Sequence, residues 1–331
     1  MIKVTKILLV GFGSIGNKHL QSLKKIAPEV EVVILRSHSL GNPVDDCVVV
    51  KTVDEALAFC PEAAIICNPS SFHLEVSERL VREGVHLLIE KPLSNTVSGV
   101  RNFIDSVNEA ELKVMVAYNL RFSESLNAFK DVIDSSALGR VLHVHAEVGQ
   151  FLPNWRPNAL DYRDSVSAKS ELGGGALLEL SHELDYLCWI FGSAISVSAR
   201  AMKVSDLEID VEDLVIAQID LFHKGKVLSA SIHLDFLQQR PCRACKAICE
   251  KGTVVWDAIA GKVEIQRLNE VSTCHEKNAP KNVTYEKELL AFIEAIEKDT
   301  DVPITCTEGL KVLELIEAAR KSSKLNKVVF L

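Results

Sequence analysis

The chain has no long apolar run. None of its 331 residues belongs to an uninterrupted apolar segment of about 18 residues, the length that a membrane-spanning helix needs. The amino terminus shows no signal-peptide pattern and leads directly into an apolar, strand-like run. The sequence therefore predicts a cytoplasmic protein without a membrane partner.

An excess of positive charge is also absent. The sequence has 37 Lys and Arg residues against 45 Asp and Glu residues, which gives a formal charge of -8. A nucleic-acid surface needs clustered Lys and Arg to neutralise phosphates. We therefore expect no nucleic-acid partner, and an anionic substrate would need a local basic pocket.

The cysteines show no pattern of a disulfide framework. There are nine, an odd number, and several lie in apolar stretches, as Cys60, Cys67 and Cys188 do. This distribution suits buried thiols in a reducing compartment, and we expect no disulfides.

Two groups of potential metal ligands also favour a structural role. One lacks a fourth ligand at suitable spacing, and its region 246–255 is predicted as strand, turn and strand. The residues of the other group alternate along one predicted strand and so lie on one face of it. This face is either a metal site or a face that contacts solvent or another subunit. The two groups are Cys242, Cys245 and Cys249, and His143, His145 and Glu147. We predict no metal.

Apolar runs alternate with helical patterns over the first 118 residues, which predicts βαβ units and a parallel sheet. The expected strands are 6–10, 31–35, 47–51, 63–67, 86–90 and 113–118. After residue 120, longer alternating strands at 141–148, 214–221 and 227–236 predict a half-covered, largely antiparallel sheet. The predicted fold class is α/β, with a doubly wound domain at 1–120 and a second α/β domain at 121–331 that ends in a helix at about 308–325.

A glycine-rich turn follows the first predicted strand and opens a helix. In a dinucleotide-binding fold, its first glycine allows a tight turn, the second lets the pyrophosphate approach the backbone, and the third lets helix and strand pack closely. The turn is Gly11-Phe12-Gly13-Ser14-Ile15-Gly16. We expect these residues to bind NAD or NADP.

The second predicted strand ends in Arg36 and Ser37, where NAD-preferring enzymes usually have an acidic residue for the ribose 2′-hydroxyl. Arg36 and Ser37 favour the 2′-phosphate of NADP instead. The alternative is that Arg36 stacks on the adenine or faces solvent.

Several motifs along the chain occur together in one known family. They are the glycine turn with His19, Asn68-Pro69 with His73, Glu90-Lys91-Pro92, and Gly173-Gly174-Gly175 before His182 and Asp185. In this combination the chain resembles the Gfo/Idh/MocA oxidoreductases over nearly its whole length. The resemblance implies an amino-terminal Rossmann domain for NAD(P) and a carboxy-terminal α/β domain, with a large open sheet, that holds the substrate site and usually the oligomer contact, here a homodimer or homotetramer.

The resemblance also implies hydride transfer at a carbinol carbon of a sugar, inositol or related polyol. Asn68, Pro69, His73, Glu90 and Lys91 then belong to the cofactor site. Asn119 joins them beside the nicotinamide, where Tyr118 and Arg121 would meet the substrate.

The residues themselves offer the acid–base chemistry that this reaction needs. Lys91 lies at the carboxyl end of a predicted parallel strand, where ligands bind in open sheets, and it can exchange a proton with the substrate oxygen. His182 is a second candidate because imidazole titrates near neutrality. A surface lysine and a core histidine are the alternatives.

One family carboxylate is missing from the predicted catalytic group. Many members have an Asp four residues before this histidine, where this chain has Leu178. Glu179 is rotated about 100° around the helix from that position, and it either replaces the carboxylate imperfectly or does something else. Asp185 either orients His182 or has a capping or salt-bridged role.

Arginines and aromatics in a proline-containing loop region form the predicted remainder of the substrate site. They are Trp155, Arg156, Tyr162 and Arg163. Arginines can clamp a carboxylate or phosphate, and aromatics can stack on a sugar face or base; surface salt bridges are the alternative. The predicted function is an NAD(P)-dependent dehydrogenase for a sugar, nucleotide sugar or polyol. An NAD-dependent glycosidase and a non-catalytic cofactor sensor are the alternatives.

Overall fold

The computed structural model describes residues 3–36, 44, 47–155, 161–276, 280 and 282–331. The chain forms two compact units. The first contains Met1–Asn119 and Pro280–Leu310, and the second contains Leu120–Ala279 and Lys311–Leu331. Residues 280–310 therefore return the chain to the first unit. The predicted division into 1–120 and 121–331 does not include this return. The roles that it assigns to the two parts remain a prediction.

A six-stranded parallel sheet forms the centre of the first unit, as predicted. The strand order β3-β2-β1-β4-β5-β6 places a switch of direction between β1 and β4, and ligands of such sheets bind beyond the carboxyl ends of the strands at this point. The strands are Lys6–Val10 (β1), Glu31–Leu35 (β2), Val48–Val50 (β3), Ala63–Ile66 (β4), His86–Glu90 (β5) and Val114–Ala117 (β6).

Helices between these strands bury one apolar face each. In the fourth helix, Val100, Phe103 and Val107 are buried at helical spacing. The short second helix begins with a capping box, in which the Glu55 backbone N–H donates to Thr52 Oγ1 over 3.2 Å. The helices are Ser14–Ile26 (α1), Val53–Leu57 (α2), His73–Arg82 (α3) and Val100–Glu109 (α4).

The second unit contains a nine-stranded sheet in the order β14-β13-β12-β11-β7-β10-β9-β8-β15. Among the described strands of this sheet, only β7 and β10 pair in parallel, so the predicted, mostly antiparallel sheet is confirmed. The strands are Val141–Gly149 (β7), Ala194–Met202 (β8), Leu214–His223 (β9), Lys226–Asp235 (β10), Cys242–Cys249 (β11), Gly252–Asp257 (β12), Lys262–Arg267 (β13), Glu270–Glu276 (β14) and Val329–Phe330 (β15).

Three helices of the second unit, Glu124–Asp134 (α5), Ala176–Glu179 (α6) and His182–Phe191 (α7), contact strands of this sheet. The alternation of β7 buries Val144, Ala146 and Val148, while His143 and His145 on the opposite face are half-buried. This alternation is typical of a sheet with one covered face.

Two helices complete the chain, Val283–Glu297 (α8) and Cys306–Leu325 (α9). The first packs against α1, with Leu289, Phe292 and Ile296 buried, so this packing returns the chain to the first unit. The second confirms the predicted final helix. In the described ranges, no helix is long and apolar enough to cross a membrane.

Candidate functional site

The glycine turn lies between β1 and α1, and its three glycines have different surroundings. Gly11 has a φ of +83°, and a Cβ atom there would lie 2.8 Å from the Asn68 backbone nitrogen. A Cβ atom on Gly16 would lie 2.5 Å from the Gly11 carbonyl oxygen. A Cβ atom on Gly13 would have no neighbour within 4 Å in the part of the chain that the structure describes. Gly11 and Gly16 therefore serve the packing of the turn, whereas Gly13 faces open space at the start of α1.

This arrangement fits a dinucleotide. Gly13 is the N-cap residue of α1, and no side chain caps that helix end. The first N–H groups of a helix are available to an anion at such an end, and the helix dipole favours negative charge there. The start of α1 at Gly13 can thus accept an anion, and the binding of the cofactor by Gly11 to Gly16 stays a prediction.

His73 connects the ends of β4 and β5. Its Nε2 atom lies 2.8 Å from the Asn68 carbonyl oxygen, and its Nδ1 atom lies 3.0 Å from the Pro92 carbonyl oxygen. Burial lowers the pKa of His73, although these two carbonyl groups partly oppose that effect. The structure therefore brings together the Asn68-Pro69 and Glu90-Lys91-Pro92 segments that the sequence places about 20 residues apart.

A buried hydrogen-bonded pair fixes the end of β5. Glu90 Oε1 lies 2.7 Å from Nε2 of His19, and Glu90 Oε2 accepts from the backbone N–H of Lys91 over 3.1 Å. Burial raises the pKa of Glu90, but His19, the charge of Lys91 and the Lys91 N–H together hold it below its usual value. Glu90 is thus an ionised buried carboxylate that orients the backbone of Lys91.

Arg36 lies beside the glycine turn, with its guanidinium carbon 4.5 Å from the centre of the Phe12 ring. This is the geometry of a cation–π contact. The backbone N–H of Arg36 donates to the Val50 carbonyl oxygen, which fixes the end of β2. Ser37 lies outside the described residues.

Tyr118 and Asn119 follow β6 and are both buried. Asn119 Nδ2 donates to Thr284 Oγ1 over 3.0 Å, which connects the end of β6 to α8. The burial of Tyr118 does not favour the predicted direct contact with a substrate.

In the second unit, the triple glycine forms a tight turn before His182. Gly173 and Gly175 have φ values of +84° and +105°, and a Cβ atom on Gly174 would lie 2.4 Å from the Val166 carbonyl oxygen. Glycine is therefore required at all three positions. His182 begins α7 and is largely buried.

The three-residue spacing of Glu179 and His182 predicts that they share one helix, and this prediction is wrong. The α6 helix ends at Glu179, α7 begins at His182, and a turn at Leu180 and Ser181 separates them. Ser167 Oγ donates to Glu179 Oε2 over 2.6 Å. The break therefore removes the helical relation of Glu179 to His182, and Leu178 itself is buried.

Asp185 forms a buried ion pair with Arg121. The guanidinium donates to both carboxylate oxygens, over 3.0 Å from Nε and 2.6 Å from Nη2. The Arg121 guanidinium also lies 5.4 Å from the centre of the Trp189 ring. Of the two alternatives for Asp185, the structure has the salt bridge, and Arg121 is held within its own unit.

The loop residues predicted for substrate binding have local partners. Trp155 Nε1 donates to the Gln150 carbonyl oxygen over 2.8 Å, and the exposed Arg163 forms ion pairs with Asp161 and Glu208. Tyr162 Oη accepts from the Glu208 backbone N–H over 3.2 Å. Arg156 lies outside the described residues.

The two metal-like groups have other geometry. Cys242, Cys245 and Cys249 lie on β11, followed by a turn and β12 as predicted. His143 Nε2 and His145 Nδ1 lie 3.3 and 2.8 Å from Ser231 Oγ. In the described part of the chain, no three His, Cys, Asp or Glu residues are arranged to hold a metal ion.

The sequence interpretation missed Glu288. This residue lies on the buried face of α8 and is itself fully buried. A charged residue at a core position of an amphipathic helix was the available signal, because Leu289 and Phe292 mark the apolar face of that helix.

Comparisons with known proteins agree with this geometry. Residues 5–118 match the Gfo/Idh/MocA model described as an oxidoreductase-family NAD-binding Rossmann fold, and residues 130–331 match the model of its C-terminal α/β domain. The inositol 2-dehydrogenase of Rhizobium meliloti is 26% identical over 290 residues, which are 82% of each chain. The NADP-dependent scyllo-inositol 2-dehydrogenase IolW of Bacillus subtilis is 22% identical, over 100% of this chain and 97% of the relative.

Solved structures share the fold. The WlbA dehydrogenase of Bordetella pertussis, in complex with NADH and UDP-GlcNAcA, superposes with a TM-score of 0.84 at 21% identity, over 99% of this chain and 98% of the other. A levoglucosan dehydrogenase in complex with NADH gives 0.85 at 18% identity, over 98% of both chains. The chain therefore belongs to the Gfo/Idh/MocA family of NAD(P)-dependent oxidoreductases, as its motifs predicted.

Proposed function

We propose that this protein transfers hydride between NAD(P) and a hydroxyl-bearing or keto carbon of a sugar, nucleotide sugar or related polyol. The observation that carries the proposal is the end of β5, where Lys91 follows the buried Glu90–His19 pair at the ligand-binding edge of the sheet. The named substrates of the relatives, which include inositols, support the substrate class.

Lys91 is the proposed principal proton-transfer group. Oxidation of a carbinol removes the hydroxyl proton as hydride departs, and the bound nicotinamide supplies the hydride acceptor. Lys91 takes that proton from the substrate oxygen and returns it in the reverse direction. The Glu90 carboxylate holds the Lys91 backbone through its N–H group, so the chain positions this amine through a rigid strand end.

His182 is the proposed second proton-transfer group, on the first turn of α7. Glu179 is an optional member of the catalytic group. Its hydrogen bond with Ser167 supports a role in holding the segment 167–179. It does not support the replacement of the Asp that many family members have at the position of Leu178.

We propose a preference for NADP(H) over NAD(H). The Arg36 guanidinium is held over Phe12 in the glycine turn, where it can meet a 2′-phosphate with its remaining N–H groups. The alternative is that Arg36 continues the stack onto the adenine ring. A contact with the 2′-phosphate would make Arg36 distinguish NADP(H) from NAD(H), whereas stacking on the adenine, which both cofactors have, would not.

Charge compensation favours an uncharged sugar or polyol over an acidic one. Both described arginines of the predicted substrate site have carboxylate partners, Arg121 in a buried pair and Arg163 in exposed ones. An anionic substrate would have to compete with Asp185 for Arg121, at the expense of a buried charge pair. Arg163 is easier to recruit, because exposed ion pairs contribute about 1 kcal/mol or less.

A homodimer or homotetramer is the proposed assembly, and the cytoplasm is the proposed compartment. The uncovered face of the second sheet includes the exposed apolar residues Ile216, Phe222 and Val227, which a second copy could cover. Cys67, Cys188 and Cys245 are thiols outside any disulfide, which supports a reducing compartment.

A substrate screen tests the proposed function. The protein is incubated with NAD or NADP and a panel of inositols, neutral sugars, sugar acids and UDP-sugars, and nicotinamide absorbance is followed. We expect turnover with at least one neutral polyol or sugar. Tight cofactor binding without turnover on any member would contradict the proposal and favour a sensor, whereas cleavage of a glycoside without net change in the cofactor would favour the glycosidase.

A further inference from the structure

The core of the first unit contains a second buried carboxyl group near Glu90. Glu288 has no exposed surface, and neither of its carboxyl oxygens has a hydrogen-bond partner among the described residues. Buried polar groups in native proteins are nearly always paired, so this group requires an explanation. An ionised carboxylate in these surroundings would carry a large desolvation penalty.

Glu288 lies on the face of α8 that meets α1. Tyr285, one helical turn earlier, packs edge-on against the His19 ring with centroids 5.4 Å apart. His19 in turn hydrogen-bonds to Glu90. The charge of Glu90 acts on Glu288, so the three residues form one buried cluster, named here the carboxyl cluster: His19, Glu90 and Glu288.

Two members of the carboxyl cluster have buried polar atoms without a hydrogen-bond partner among the described residues: Nδ1 of His19 and both carboxyl oxygens of Glu288. A protonated Glu288 has one O–H donor. Its protonation leaves a single carboxylate charge in the cluster, on Glu90.

Other titratable groups surround the cluster. Cys67, at the end of β4, interacts with both carboxyl groups, and burial, Glu90 and Glu288 in that order raise its pKa. Lys91 interacts with Glu90 from the end of β5, and His73 does so from the start of α3. On α1, Lys18 lies 5.4 Å from the Tyr285 ring centre. Burial and then the charge of Glu90 raise the pKa of Glu288 well above its usual value.

We propose that Glu288 is a positioning residue: as a neutral carboxylic acid, it leaves Glu90 as the single negative charge of the carboxyl cluster and so holds the strand end that carries Lys91. The link to catalysis rests on the proposed role of Lys91. The protonation of Glu288 is independent of that role, because it follows from the burial of Glu288 and from the nearby Glu90 carboxylate.

Proton linkage provides the test. Unfolding returns Glu288 to its ordinary pKa, so the folded chain retains a proton that the unfolded chain loses. The resulting stability is complete below the ordinary pKa and is lost as pH rises through the raised one. The opening constant is the equilibrium constant between the open and the folded chain. Between the ordinary and the raised pKa, the opening constant of wild type should rise by up to about tenfold per pH unit relative to a variant without this proton.

The experiment compares wild type with Glu288→Gln and with the matched control Glu294→Gln, an exposed carboxylate on the same helix that pairs with Lys298. Hydrogen exchange of the His86–Glu90 amides reports opening of the first unit from pH 5 to 8. We expect the opening constant of wild type, divided by that of Glu288→Gln, to rise with pH, while the ratio to Glu294→Gln stays constant. A constant or falling ratio for Glu288→Gln would overturn the proposal.

A second measurement uses the wild-type chain alone and applies even if Glu288→Gln does not fold. Carbon-13 NMR of glutamate carboxyl groups should show one resonance at the position of a protonated carboxyl at pH 7. The absence of such a resonance would overturn the proposal. Neither measurement uses turnover, so a failure of the proposed function, seen in the substrate screen, is distinguishable from a failure of this inference.

The positioning role is tested by the pH profile of kcat/KM, in which Glu288→Gln should match wild type near pH 6 and lose less activity than wild type at higher pH. Parallel profiles at every pH would contradict it.

Discussion

Replacement of Gly13 by valine should remove cofactor binding without removing the fold. A Cβ atom at this position meets no atom of the described residues within 4 Å, and the φ of -87° and ψ of -157° are extended backbone that valine adopts. The loss of glycine at an N-cap position costs about 1 kcal/mol or less, and the reduced entropy of the unfolded chain offsets about 0.4–1 kcal/mol of that. The net change in the free energy of unfolding should therefore be small.

The effect on cofactor binding should be much larger. The valine methyl groups would fill the space before the first turn of α1, where the pyrophosphate must approach the backbone. We expect a loss in affinity of at least 100-fold, about 2.7 kcal/mol. NADH and NADPH titrations followed by fluorescence measure this loss directly.

Gly11→Ala serves as the contrasting variant. Its φ of +83° is left-handed, and the new Cβ would lie 2.8 Å from the Asn68 backbone nitrogen, so the change should destabilise the fold by more than the left-handed backbone alone, about 1–2 kcal/mol. Thermal unfolding separates the two effects. Cofactor at 100 times the wild-type Kd should stabilise wild type by about 2.7 kcal/mol and Gly13→Val by about 0.4 kcal/mol or less. Wild-type affinity in Gly13→Val would refute this account of the turn.

Three further predictions concern specificity, stability and assembly. Arg36→Asp should weaken NADPH binding at least tenfold more than NADH binding, as measured by titration with both cofactors; tighter binding of NADH than NADPH by the wild type would reduce Arg36 to adenine stacking. Asp185→Asn should lower the free energy of unfolding by about 3–5 kcal/mol because it leaves Arg121 buried and uncompensated, whereas Asp134→Asn, at an exposed pair, should change it by about 1 kcal/mol or less; equal effects in chemical denaturation would contradict the buried-pair argument. Sedimentation velocity at micromolar concentration should show two or four subunits, and a monomer would count against the proposed use of the open sheet face.

The sequence predicted the features that depend on local pattern. Alternation with period two and short apolar runs located both sheets. The tight turn at Gly11 and the close packing at Gly16 were also predicted, and the structure bears them out. The break between α6 and α7 was missed because Leu180 and Ser181 are neither glycine nor proline, the residues that usually mark such a break.

Long-range pairing could not be predicted from one sequence. Arg121 and Asp185 are 64 positions apart. Their pairing depends on how the turn that contains Arg121 packs against α7 in the folded second unit. The return of α8 to α1 likewise depends on the fit between two helices rather than on a local signal. Glu288 was detectable in principle as a charge on an apolar helix face, but its neighbours were not.

The central claim is that Lys91 transfers the proton during hydride transfer, and the rate of that step in Lys91→Met tests it most directly. With the substrate found by the screen, single-turnover nicotinamide absorbance should show a rate at least about 100-fold below wild type, with cofactor affinity unchanged. His182→Ala should lower the rate in the same sense but less. Lys113→Met, at the amino end of the neighbouring strand β6, should retain the wild-type rate. A wild-type rate in Lys91→Met would contradict the account.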